Sequence, residues 1–119
     1  MSQIANSFQE AQKAFLLLKQ QGSQKRVAFL KEIANQIELM REDLIPVAAR
    51  ESNLPVGRIT GELGRTLGQI MLFANLVEEG SWVDAVIDHS DTDRKPAPKP
   101  DIRKMLRPLG PVVVFGASN

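Results

Sequence analysis

Asn119 is the residue of this chain whose type and setting best suit chemistry. Its side-chain amide is a donor that cannot ionise, and such a group can stabilise negative charge developing on a carbonyl oxygen. It follows Phe115, Gly116, Ala117 and Ser118, small residues apart from the phenylalanine, which would let a ligand approach the backbone. On chemistry alone, an asparagine in such a loop is usually a turn residue. The chain offers few other candidates. It has no cysteine, which removes disulfides, thiolate metal sites and a cysteine nucleophile. The one histidine, His89, cannot hold a metal alone. Asp84, Asp88 and His89 are close in sequence, but on a strand both aspartates share one face and His89 takes the other. That pattern reads as surface charge flanking a strand. No complete GxGxxG or GxxxxGK[ST] phosphate loop is present, and no Ser-His-Asp set.

The elements that would carry Asn119 come just before it. Arg107-Pro108-Leu109-Gly110-Pro111 reads as a turn, and Val112 to Phe115 as a strand. That strand is apolar without alternation and rich in β-branched residues, so both its faces expect cover, as in a central parallel strand of an α/β sheet. Ligands in such sheets sit beyond the carboxyl ends of the strands, where Gly116 to Asn119 fall.

Upstream the chain reads as helical. Ser7-Phe8-Gln9-Glu10 has the form of a capping box. Phe8, Ala11, Phe15 and Leu18 then give one apolar face to a helix over residues 7–21. Ser23 can cap a second helix, 23–40, with Val27, Leu30, Ile33 or Ala34, Ile37 and Met40 inward. Glu42 and Asp43 suit the positive end of a third, 42–52, with Pro46 in or just beyond its first turn. Pro55 opens the fourth and longest, 55–79, which Gly80 ends. Its apolar face is Ile59, Leu63, Leu67, Ile70, Ala74 and Val77. Gly57, Gly61, Gly64 and Gly68 form a second stripe on it. Each glycine costs about 1 kcal/mol against alanine in a helix interior. Close approach of another backbone would justify that cost, and a ligand or subunit contact is the alternative.

Residues 82–88 and 102–107 read as two antiparallel strands, joined by an extended connector with Pro96, Pro98 and Pro100. Trp82 reads as a packing anchor at the end of the long helix. Lys95, Lys99, Arg103, Lys104 and Arg107 lack aromatic interleaving, and read as a solvated edge that discourages sheet-to-sheet pairing. A net charge of +1 and 43% hydrophobic residues fit a globular protein and do not suggest a nucleic-acid binder. No apolar run approaches the ~18 residues of a membrane span. A cytoplasmic protein is the default expectation. The predicted architecture is thus mainly α, with four helices, a β-hairpin and a terminal strand at 111–115. It divides into a helical segment (1–81), a hairpin (82–107) and the first strand of a further domain (108–119).

Several local patterns, taken in order, resemble the N-terminal part of the aldehyde dehydrogenase superfamily across nearly the whole chain. They are Ala11-x-x-Ala14-Phe15, Arg26 to Ala34, Glu42-Asp43-Leu44, and Arg107-Pro108-Leu109-Gly110-Pro111-Val112-Val113-Val114. Gly61-Glu62-Leu63-Gly64-Arg65-Thr66 with Gln69, and Phe115 to Asn119, are similar to an NADP-preferring branch. That branch includes 2,5-dioxovalerate (α-ketoglutarate semialdehyde) and fatty aldehyde dehydrogenases. Most of the superfamily has Pro-Trp-Asn where this chain has Ala117-Ser118-Asn119, which removes any cofactor contact made by the tryptophan.

The resemblance implies oxidation of an aldehyde or semialdehyde to a carboxylate by NAD(P)+, through a thioester on a cysteine. It assigns Asn119 to the oxyanion hole and Phe115, Gly116, Ala117 and Ser118 to the cofactor. It implies a parent enzyme that is a dimer or tetramer, joined through the sheet that matches the hairpin. The nucleophile, the general-base glutamate and the pyrophosphate loop would lie beyond Asn119. The chain alone is therefore expected to bind no cofactor and oxidise no aldehyde, and to self-associate through the uncovered strand at 112–115. Two alternatives stand beside this. A Rossmann dehydrogenase or epimerase also opens with Val-Val-Phe-Gly-Ala-Ser, but near its N-terminus. A non-enzymatic helical interaction module, or a gene remnant, is the other.

Overall fold

The computed structural model describes residues 3–116. The chain divides into two compact units, one of residues Gly22–Trp82, the other of Met1–Gln21 together with Val83–Asn119.

The Gly22–Trp82 unit holds three helices, α2 (Ser23–Leu39), α3 (Arg41–Ser52) and α4 (Val56–Glu79). Both α2 and α3 pack on α4. The core is small: Val27 and Ala34 from α2 and Ala74 from α4 are buried, and Ala74 is fully enclosed. Alanines at a helix crossing let the axes come close, so the contact rests on small side chains rather than bulky ones. The face expected of α4 (Ile59, Leu63, Leu67, Ile70, Ala74 and Val77) is buried or half-buried throughout. On α2, Leu30, Ile33 and Ile37 are half-buried beside Val27 and Ala34, whereas Met40 lies beyond the helix and is about half exposed.

Local chemistry sets the helix ends. Met40 ends α2 and opens α3, and Arg41 grips Glu38 across the junction with two 2.8 Å hydrogen bonds. The first turn of α3 carries Glu42 and Asp43 as expected, and α3 runs through Pro46 to an end at Asn53, whose φ of 56° is left-handed. Pro46 cannot donate to the Glu42 carbonyl, but both residues are exposed and water can serve that oxygen. Pro55 sits one place before the first helical residue of α4 rather than at it. Gly80 ends α4 at φ 91°, its N–H donating to the Leu76 carbonyl at 3.0 Å. Trp82 is half-buried with the Arg26 guanidinium 5.7 Å from its ring centroid, which links the end of α4 to the start of α2.

The second unit holds α1 (Gln3–Gln20) and the strands β1 (Val86–Asp88) and β2 (Ile102–Lys104). Helix α1 begins four residues before the expected capping box. Ser7 therefore lies inside the helix and donates back to the Gln3 carbonyl (3.1 Å), while Glu10 pairs with Lys13. The strands are antiparallel, with Val86 opposite Lys104 and Asp88 opposite Ile102. Both are shorter than expected. A 3-10 turn occupies Ser81–Val83, and Asp84 has φ 43°, which breaks any strand through residues 82–85. The connector is a closed hairpin tip rather than an extended link. Asp91 and Lys99 exchange two backbone hydrogen bonds (3.0 and 2.8 Å), and Asp93 donates to the Asp91 carboxylate.

The strand expected at 111–115 does not form among the described residues. Val112, Val114 and Phe115 are 74%, 84% and 91% exposed. A strand draws its stability from a neighbour that takes its N–H and C=O groups, and no other strand lies alongside here. Among the described residues the backbone approach expected on the glycine stripe is also absent: a Cβ built at Gly57, Gly61, Gly64 or Gly68 meets nothing within 4 Å.

In this 119-residue chain, Gly64→Ala is therefore expected to stabilise the helical unit by about 0.5–1 kcal/mol. Gly80→Ala is expected to destabilise it by about 1 kcal/mol or more, because the new side chain must adopt a left-handed conformation. Thermal melts followed by circular dichroism distinguish the two; a lower Tm for Gly64→Ala would place a neighbour on the glycine face.

Candidate functional site

Three of the five expected site residues, Ala117, Ser118 and Asn119, lie outside the described residues. Phe115 and Gly116 are described and exposed, and a Cβ at Gly116 meets nothing within 4 Å.

The hairpin charges are engaged with one another. Lys104 Nζ lies 3.1 Å from Asp84 Oδ2, Lys99 pairs with Asp88, and Arg103 Nε donates to Asp101 at 2.9 Å. His89 Nδ1 is 3.9 Å from the same Asp101 carboxylate. Lys99, Arg103 and Lys104 of the basic run thus pair with aspartates across or along the hairpin, and Arg103 and Lys104 stay solvated as expected. Among the described residues no three His, Cys, Asp or Glu side chains converge as a metal site.

Among the described residues, a concave surface lies on α4. Arg65, Thr66, Gln69, Ile70 and Phe73 line an open groove of about 380 Å³. At 100° per residue these five occupy one sector of the helix, adjacent to the glycine stripe. Nearer the start of α4, Ile59, Glu62, Leu63 and Thr66 share a second, more apolar hollow of about 230 Å³ with Leu44, Ile45 and Ala48 of α3. Thr66 borders both.

Charge around the groove is set by Glu62. Its Oε2 accepts from Arg65 Nε (3.0 Å) and its Oε1 from Arg58 Nε (3.2 Å). Hydrogen bonding to Arg65, then to Arg58, holds the Glu62 carboxyl below its ordinary value of 4.5. It is ionised at neutral pH, and two guanidiniums share its single negative charge, leaving one positive charge over. Residues Gly61 to Thr66 and Gln69 entered the sequence reading as family markers, not as a site. The available signal was Arg65 with Gln69 at i, i+4, two hydrogen-bonding side chains on one exposed helical face.

Because the folded pKa of Glu62 is lowered, any stability it adds is present above 4.5 and fades as pH falls through the folded value. Carboxylate-detected NMR should give Glu62 a midpoint below 4.5, moving upward in Arg65→Gln. An unchanged midpoint would show that the Arg65 pair does not persist in solution.

With this geometry in view, the chain was compared with known proteins. It is 44% identical over all 119 residues to an alpha-ketoglutaric semialdehyde dehydrogenase of Acinetobacter baylyi, covering 23% of that protein. It is 46% identical over 109 residues, 92% of this chain, to alpha-ketoglutaric semialdehyde dehydrogenase 2 of Azospirillum brasilense, covering 21% of it. The chain thus spans about a fifth of the length of these curated relatives. Residues 1–119 match the aldehyde dehydrogenase family along their whole length, and the chain belongs to that family.

Proposed function

We propose that this chain is the N-terminal part of an NAD(P)-dependent semialdehyde dehydrogenase that oxidises alpha-ketoglutaric semialdehyde, or a close analogue, to the dicarboxylate. The observation that carries this reading is 44–46% identity to two proteins of that name over nearly the whole chain. NADP+ is the preferred oxidant in this reading, with NAD+ the alternative, and it supplies the hydride acceptor.

This chain's own contribution to the chemistry would be Asn119. Its amide would donate to the carbonyl oxygen of the aldehyde as negative charge builds there, and it needs no proton exchange to do so. Phe115 to Ser118 would be the stretch nearest the cofactor once the remainder of the sheet covers residues 111–115. The sequence contains no cysteine, so the nucleophile must be supplied from outside these 119 residues. The chain alone would oxidise no aldehyde. Residues 1–81 would serve as the helical segment, 82–107 as the hairpin, and 108–119 as the opening of the cofactor domain.

The enzyme is read as cytoplasmic, and as a dimer or tetramer assembled through the hairpin. Support for that assembly comes from β1 and β2, a two-stranded sheet with free outer edges and with Val86, Ile87 and Ile102 about half exposed. The prolines and paired charges at the tip confine any further strand pairing to the regular part of the hairpin.

The full-length protein should convert alpha-ketoglutaric semialdehyde to its acid with stoichiometric reduction of NADP+, read at 340 nm. Asn119→Ala should lower kcat by roughly 100- to 1000-fold with a smaller effect on KM. No dinucleotide reduction with any aldehyde, or full activity in Asn119→Ala, would overturn the corresponding part of the proposal.

A further inference from the structure

We draw no further inference here: the strongest candidate, the open groove on α4 lined by Arg65, Thr66, Gln69, Ile70 and Phe73, carries none, because nothing in the structure shows what covers this face of the helix in a chain that spans about a fifth of its relatives' length.

Discussion

The close packing of α2 on α4 is the contact on which the helical unit depends. It buries Val27, Ala34 and the fully enclosed Ala74, and no bulky side chain is fully buried among the described residues. A core made from such small groups excludes little apolar area from water, so its contribution is limited to a few kcal/mol on the scale of about 25 cal/mol per Å². What it gives is geometry. Two helices held at short distance set the rotation of α4 about its axis, and with it the direction of every other residue on that helix. The Arg26–Trp82 stack and the Lys31–Glu78 pair (3.5 Å) lie along the same two helices. The ion pair is exposed at both ends and adds little.

Once α4 is oriented this way, its surface sorts into three sectors. One carries Ile59, Leu63 and Ala74 against α2 and α3. A second presents Arg65, Gln69 and Phe73 as the rim and wall of a groove. The third is the glycine stripe, open to solvent. The Arg58–Glu62–Arg65 cluster falls within the second, because spacings of three and four residues bring those side chains together on any helix. Packing therefore decides where the cluster faces, and local sequence decides that it exists.

Large apolar side chains remain uncovered in both units. Leu109, Val112, Val114 and Phe115 are each about three-quarters exposed or more, and Leu39, Leu72 and Phe29 more than half. Apolar surface of this extent is uncommon on a self-sufficient domain. It accords with a chain that spans about a fifth of the length of its relatives. The residues between Pro111 and Phe115 illustrate the point. Their β-branched composition is that of a doubly covered strand, yet without neighbouring strands the backbone has no partner for its donors and acceptors, and the segment stays irregular.

The sequence by itself determined the four helices, most of their ends, the inward face of α4 and the family, because apolar periodicity, glycine and proline positions and ordered motifs are local properties. It misplaced the start of α1, since Ser7 can cap a helix or bond back within one, and flanking residues choose between them. It lengthened both strands, since nothing local forced Asp84 to a positive φ. Only the tertiary structure decided that Lys104 and Lys99 are matched to Asp84 and Asp88 across the hairpin. It alone left the glycine stripe bare and turned Arg65 and Gln69 toward a concavity. Those outcomes depend on which surfaces meet. A chain's periodicity states that a face will be buried, but the shape left beside the buried face exists only once the helices have packed.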